Sequence, residues 1–128
     1  MPGPARAGAL IYAKDLPRVS LFYQQLLGMR LLLADAYHHV IESADFQLVI
    51  HAIPPHIAET FTIASPPTAR EDTAVKLFFT VASLEAAEAV LRAHGGWLLE
   101  GRWDGPGFKV ANACDCEGNI LQLRELQG

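Results

Sequence analysis

The sequence predicts an α+β protein built from two tandem modules, each made of one strand, one helix and three further strands. Two pairs of helix signals carry this prediction. Asp15 and Ser83 are good helix caps at an offset of 68 residues, and Gly28 and Gly95 are helix stops at an offset of 67. Short apolar segments flank each helix. Nearly equal offsets indicate an internal duplication, the alternative being a chance pair of helix starts and stops.

The first module is predicted to span about residues 8–53. It opens with the apolar strand Gly8 to Ala13, which ends at Lys14-Asp15. Asp15 caps a helix, Pro17 suits its first turn, and apolar residues then recur at three- and four-residue spacing up to Gly28. Three strands are predicted after the helix, at residues 29–33, 37–43 and 46–53.

The linker is predicted at about residues 54–74, between Pro54-Pro55 and the second module. Its length predicts either a short helix around residues 57–61 or a functional lid. The second module is predicted at about residues 75–125. Its elements are a strand at 75–81, a helix from Ser83 to Gly95, and strands at 97–100, 108–114 and 120–123. Both modules are expected to form one domain over residues 1–128.

Composition excludes several classes of protein. Hydrophobic residues make up 51% of the 128 residues, so an intrinsically disordered chain is not expected. The net charge is −4 without a basic run, which argues against nucleic-acid binding and is compatible with a cationic ligand. No segment predicts a membrane span or a signal peptide.

Cys114 and Cys116 do not resemble a disulfide framework, and they are expected to have no metal role. The expected compartment is the cytoplasm.

Three motifs carry a resemblance to a known family. They are Ile11–Leu16 (IYAKDL), Phe22–Met29 (FYQQLLGM) and Asp115–Leu123 (DCEGNILQL). Together they resemble the strand-to-helix junction, the Phe-Tyr…Leu-Gly helix end and the Asp-Pro-Asp-Gly-Asn turn of the glyoxalase/bleomycin-resistance/extradiol dioxygenase (vicinal oxygen chelate) superfamily. The resemblance covers about residues 8–125. It implies that the paired modules form a cup-shaped mixed sheet.

The same resemblance implies where a metal would bind. Metal-dependent members take one ligand, usually His, Glu or Gln, from the first and the last strand of each module. The corresponding positions here are Gly8, Val49, Lys76 and Gln122, of which only Gln122 has a suitable donor. His51 or Gln47, on the same strand face as Val49, is the displaced second candidate. We therefore expect no cofactor; the alternative is a divalent metal held by His51 and Gln122.

The cup is expected to be apolar with few polar anchors, as small-molecule pockets usually are. Its predicted wall contains Leu10, Tyr12, His51, Lys76, Phe78 and Gln122. Several roles stay open: His51 as a displaced ligand, a general base or a solvent-facing residue, and Lys76 as an anion binder or a solvent-facing residue. Trp103 and Phe108 flank a flexible Gly-Pro loop that either closes over the ligand or forms a hairpin packed on a dimer partner.

The predicted function is binding of a small molecule in the cup without the usual metal centre, as the resemblance to bleomycin-resistance proteins implies. The alternative is a metal-dependent lyase, isomerase or dioxygenase with a rearranged site of His51, Gln122 and Glu42. A metal-free enzyme using His51 or Lys76 is a variant of that alternative. A pure interaction module is a third hypothesis. A homodimer is expected from the resemblance, and whether the protein is an enzyme stays open.

Overall fold

The computed structural model describes residues 5–127. The chain divides into two compact units, and the boundary between them along the sequence falls between Thr62 and Ile63, inside the predicted linker. The elements of the first unit are β1 (Gly8–Ala13), α1 (Leu16–Leu27), β2 (Arg30–Ala34), β3 (His38–Glu42), β4 (Gln47–Ala52) and α2 (Pro55–Ala58). Those of the second are β5 (Phe78–Val81), α3 (Leu84–Ala93), β6 (Trp97–Leu98), β7 (Trp103–Gly105), β8 (Phe108–Cys114) and β9 (Ile120–Leu126).

The first unit is a four-stranded mixed sheet with one helix on one face. The strand order is β1-β4-β3-β2, with β1 parallel to β4 and the other pairs antiparallel. Helix α1 begins at the predicted cap, where the Asp15 side chain accepts a hydrogen bond from the Arg18 amide, and ends at Gly28, whose φ is +64°. The helix buries its apolar stripe, including Val19 and Phe22, above the aliphatic inner side of the sheet.

The second unit repeats this arrangement with one additional strand. Its sheet has the order β5-β9-β8-β6, and β7 pairs with β8. Strand β5 is parallel to β9, as β1 is to β4. Ser83 caps α3 by accepting a hydrogen bond from the Ala86 amide, and the helix buries Leu84, Ala87 and Leu91. The predicted α+β fold class is therefore confirmed, and the second unit has one strand more than the predicted strand, helix and three strands.

Three predicted elements differ from the structure. The strand predicted at 75–81 begins only at Phe78, which lies opposite Gln122, and the Gln122 amide donates to the carbonyl oxygen of the preceding Leu77 at 2.9 Å. Strand β7 is not among the predicted strands; it pairs with β8 in a hairpin, which is one of the two arrangements predicted for the loop at 104–107. The linker helix lies at Pro55–Ala58 rather than at 57–61, since Pro54 and Pro55 suit the start of a helix.

The two halves of the linker pack within their own units. In the first unit, Lys14 Nζ donates to the carbonyl oxygens of Ala58 (2.7 Å) and Phe61, and lies over the Phe61 ring. In the second unit, the Arg70 amide donates to the Gly118 carbonyl at 2.8 Å. Within residues 5–127, no helix is long and apolar enough to cross a membrane.

Candidate ligand-binding faces

Each sheet has one side covered by its helix and one open side. On the open side of the first sheet, strand alternation and register bring together Leu10, Tyr12, His38, Glu42, Gln47, Val49 and His51, which we call the first face. Leu10 and Tyr12 are 51% and 57% exposed, whereas Ile50 on the opposite side is fully buried. The open side of this sheet is therefore an accessible surface with an apolar centre.

The first face carries a cluster of three rings. Tyr12 and His51 are neighbours across the parallel strands, with ring centroids 5.5 Å apart. His38 lies opposite His51 on the antiparallel side, and the two imidazoles stack at 6.1 Å with an interplanar angle of 13°. His51 Nδ1 lies 2.8 Å from the Ala52 carbonyl oxygen. A hydrogen bond there orients the ring and leaves Nε2 for another partner.

Asp35 supports the outer end of this cluster. Its carboxylate accepts hydrogen bonds from the Tyr37 and His38 amides, both at 2.8 Å, and lies 3.2 Å from His38 Nδ1. These amide bonds hold the pKa of Asp35 below its usual value of 3.8, with a smaller contribution from the charge of His38. The neighbouring His39 points to the helix side, where its Nδ1 lies 2.8 Å from Ser20 Oγ. The two adjacent histidines therefore face opposite sides of the sheet, because side chains alternate along a strand.

The polar end of the first face is internally paired. Gln47 Nε2 donates to Glu42 Oε1 at 3.1 Å. Arg30 of β2 lies opposite Glu42 in the strand register. The Glu42 carboxylate is therefore hydrogen-bonded within this face by Gln47.

The open side of the second sheet has a different chemistry. Its residues are Phe78, Thr80, Phe108, Val110, Asn112, Gln122 and Arg124, which we call the second face. The Arg124 guanidinium carbon lies 3.7 Å from the Phe78 ring centroid and 4.7 Å from that of Phe108. Arg124 Nε donates to Gln122 Oε1 at 2.8 Å. These three neighbours fix both the position and the plane of the guanidinium group.

A second cation, Lys76, lies near Asn112 of the same face. Lys76 is exposed, and its Nζ makes a long contact of 3.5 Å with Asn112 Oδ1. Asn112 is opposite Gln122 in the register. The second face therefore has two cationic side chains, Arg124 and Lys76, with Gln122 and Asn112 between them in the strand register.

The predicted site residues divide between the two units. Leu10, Tyr12 and His51 lie on the first face, while Phe78, Phe108 and Gln122 lie on the second, with Lys76 preceding β5. Trp103 is 50% exposed on β7, where its ring packs beside Gly101. It also lines a shallow cleft of about 390 Å³ with Leu84, Arg102, Asp104, Lys109 and Glu125.

Sequence reasoning missed two residues that the structure places on these faces. His38 completes the ring cluster, and Arg124 dominates the second face. Arg124 follows Gln122 by two residues, so strand alternation already assigns both to one side. His38 has no comparable signal, because its contact with His51 depends on the β3–β4 register.

The four positions at which the resemblance implies metal ligands offer few donors. Gly8 has no side chain, and a Cβ added there would lie 2.5 Å from the Gln47 carbonyl oxygen. Val49 and Lys76 are not ligands, and the Gln122 oxygen accepts from Arg124. Over the described chain, no three His, Cys, Asp or Glu side chains are grouped so that they could hold a metal ion.

Comparison with solved structures identifies the fold. The chain is similar to a glyoxalase/bleomycin resistance protein/dioxygenase family enzyme from Burkholderia phytofirmans PsJN, with a TM-score of 0.68 and 18% identity over 93% of this chain and 96% of that one. A glyoxalase/bleomycin resistance protein from Albidiferax ferrireducens T118 gives a TM-score of 0.66 and 21% identity, with coverages of 93% and 96%.

A third similar structure is a lactoylglutathione lyase from Agrobacterium tumefaciens, with a TM-score of 0.60 and 19% identity over 98% of this chain and 96% of that one. No protein-family model and no curated protein sequence matches the chain. At these identities the likeness concerns the fold. The resemblance seen in the sequence motifs is thus confirmed as a shared glyoxalase/bleomycin-resistance fold.

Proposed function

We propose that this protein binds a small organic molecule on the open faces of its sheets, without the metal centre usual in proteins of this fold. The observation that carries the proposal is the exposure of large apolar side chains on those faces. Leu10, Tyr12 and Phe78 are 51%, 57% and 56% exposed, beside a few oriented polar groups. Ligand sites typically combine an apolar wall with a small number of such anchors.

The energetics favour a ligand of modest size. Covering apolar surface is worth roughly 25 cal/mol for each Å², so an apolar fragment that removes about 100 Å² from water gains about 2.5 kcal/mol before the costs of binding. Oriented polar groups such as His51 and Gln122 would then select among molecules of similar size. An apolar wall that supplies affinity and polar groups that supply selectivity together favour specific binding over non-specific adsorption.

The residues at the four implied ligand positions do not fit a divalent metal ion. They present a glycine, a valine, a cationic lysine and a glutamine that already accepts from an arginine. The alternative, a metal-dependent lyase, isomerase or dioxygenase using His51, Gln122 and Glu42, is further weakened because no three His, Cys, Asp or Glu side chains in the described part of the chain are grouped to hold a metal ion. A metal-free enzyme that uses His51 is compatible with the proposed metal-free binding site, because both use the same residues of the first face.

Nuclear magnetic resonance with uncharged fragments tests the binding proposal. Uniformly ¹⁵N-labelled protein would be titrated with a library of neutral fragments, each at millimolar concentration. We expect a subset to shift amide resonances of β1, β4, β5 and β9, and Tyr12→Ala or Phe78→Ala to weaken that subset several-fold. Leu21→Ala, at an exposed helix residue 46% accessible, serves as the control. Fragments that shift no strand resonance would contradict the proposal.

Elemental analysis tests the metal-free part separately. Protein purified without a tag or chelators should contain far less than one equivalent of Fe, Mn, Ni or Zn. Adding these ions should leave the melting temperature unchanged, because a ligand that binds only the folded state would raise it. A near-stoichiometric metal with a raised melting temperature would favour the metal-dependent alternative.

We also propose that the protein is a homodimer in the cytoplasm. The edge strand β2 supports the dimer, since Leu31, Leu32 and Leu33 are each 42% to 46% exposed beside unpaired backbone groups. Sedimentation equilibrium of the wild type and of Leu32→Lys checks this point. A monomeric wild type would contradict it.

A further inference from the structure

Arg124 is held more firmly than an ordinary surface arginine. Its planar guanidinium lies between the rings of Phe78 and Phe108, at 3.7 and 4.7 Å from their centroids. Its Nε is fixed by the 2.8 Å hydrogen bond to Gln122. Cation–π contacts stabilise a guanidinium in this position, and each restricts the plane of the group. The side chain is therefore organised before any ligand arrives.

The outer edge of the guanidinium remains available. Among the residues that the structure describes, Arg124 has no carboxylate within ion-pair distance and no acceptor for Nη1 or Nη2. The two Nη groups carry four of its five N–H donors. Such a fork matches the two oxygens of a carboxylate in a bidentate, charge-assisted pair.

The charge on the second face also favours an anionic ligand. Lys76 adds a second cation beside Asn112. The acidic residue adjacent to Arg124 in the sequence, Glu125, belongs to the opposite side of β9, where it accepts from the Leu84 amide at 2.8 Å. The face is locally cationic although the chain as a whole has a net charge of −4. The net charge of the chain is compatible with a cationic ligand, but the cations of the second face would repel such a ligand.

An apolar surface lies next to the Arg124 guanidinium. Phe78 is 56% exposed and Leu126 is 71% exposed at the end of the same strand as Arg124. We infer that the second face is a receptor for organic carboxylates, with the carboxylate bound edge-on by Arg124 and the apolar body of the ligand lying on Phe78. This inference rests on the proposed function and names the ligand class of that site.

Three matched probes test the charge preference. They are 4-phenylbutyrate, 4-phenyl-1-butanol and 4-phenylbutylamine, which share an aromatic body and carry a negative, a neutral and a positive head. Each would be titrated into the full chain at pH 7 and followed by amide shifts of β5 and β9. We expect the carboxylate to bind about tenfold more tightly than the alcohol and the amine to bind most weakly. The preference should shrink in high salt.

Variants of Arg124 assign the preference to this side chain. Arg124→Gln should reduce the carboxylate affinity about tenfold to that of the alcohol, while binding of the alcohol stays unchanged. Arg124→Lys, which keeps the charge without the fork, should retain only part of the preference. Arg30→Gln is the matched control, because Arg30 is an exposed strand arginine opposite Glu42. Amide spectra establish that each variant is folded.

The outcomes separate the two proposals. Equal binding of the three probes, or an undiminished carboxylate preference in Arg124→Gln, overturns the carboxylate inference and leaves the binding function standing. An equal loss of preference in Arg30→Gln also overturns it, because the effect would then reflect net charge. If no probe shifts the second face while neutral fragments shift the first, the inference fails and the proposed function survives.

Discussion

His51 and Arg124 occupy equivalent positions in the two units. His51 lies opposite Tyr12, three residues before the Asp15 cap, and Arg124 lies opposite Thr80, three residues before the Ser83 cap. One is a histidine stacked on a second histidine, and the other is an arginine held between two phenylalanines. The strand register fixes where these side chains stand, while the chemistry of the open face differs completely.

The covered sides of the sheets differ much less. Leu48 and Ile50 of β4 are fully buried under α1, and Leu121 and Leu123 of β9 are 2% and 0% exposed on the side of α3. Close packing against a helix requires aliphatic side chains at these positions in both units. The comparison indicates that burial preserves the repeat on one side of each sheet, whereas the open side is free to acquire different ligand chemistry.

The final hairpin turns differ as well. In the first unit, the turn between β3 and β4 is largely exposed, with Ser43 Oγ donating to Asp45 at 3.0 Å. In the second unit, Asp115 is fully buried and accepts from the Glu117 and Asn119 amides and from Asn119 Nδ2, each at 2.9 Å. We therefore expect the second turn to contribute far more to stability than the first.

The largest expected effect is that of Gly118→Ala. Gly118 has a φ of +91°, and a Cβ there would lie 2.3 Å from the Thr68 carbonyl oxygen, so strain and overlap combine. The free energy of unfolding should fall by about 3 kcal/mol or more. Gly28→Ala in the first unit is the control, because its φ is +64° with nothing within 4 Å, and it should cost about 1 kcal/mol. Urea unfolding measures both; equal costs would contradict the comparison.

Replacing the buried carboxylate should have the next largest effect. Asp115→Ala leaves two backbone amides without their acceptor inside the protein, and we expect a loss of about 3 kcal/mol in urea unfolding. Asp45→Ala in the exposed turn should cost less than about 0.5 kcal/mol. Asp115→Asn retains one oxygen acceptor and should fall between the two. A loss from Asp45→Ala as large as that from Asp115→Ala would show that burial is not the cause.

Much of this architecture follows from local sequence. Asp15, Ser83 and Gly28 predict the helix ends because capping and left-handed backbone are properties of single residues. Alternation correctly assigns Leu10 and Phe78 to the open sides, since side chains on a strand alternate regardless of tertiary context.

The remaining features depend on pairing between strands. Strand β7 has only three residues beside Gly105-Pro106-Gly107, which is too short for any periodic signal. The contact of Arg124 with Phe108 and the stack of His38 on His51 are set by how β8 meets β9 and how β3 meets β4. Those registers depend on turn geometry, which the hydrophobic pattern alone does not specify.

The two units should also respond to opposite ends of the pH range. Burial, followed by the charge of Asp115, raises the pKa of the Cys114 thiol from 9.0 to about 12. The unfolded chain then releases this proton first, so the free energy of unfolding should fall as pH rises from 9 towards 12, by at most about 1.4 kcal/mol per pH unit. Comparing urea unfolding of the wild type and Cys114→Ala between pH 8 and 10.5 isolates the effect. A pH-independent difference would contradict it.

The smallest expected effect is in acid and concerns Asp35 in the first unit. The Tyr37 and His38 amides lower the pKa of its carboxylate in the folded protein below 3.8, so the unfolded chain binds the proton more readily. The stabilisation is therefore fully present above pH 3.8 and is lost as pH falls through the folded pKa. Asp35→Asn, which keeps an oxygen acceptor for both amides but does not ionise, is the matched variant. Its melting temperature should lie below that of the wild type at pH 7 and approach it near pH 2.5. A constant gap across this range would mean that Asp35 acts only through the geometry of the turn, and the contrast in pH response between the two units would then rest on Cys114 alone.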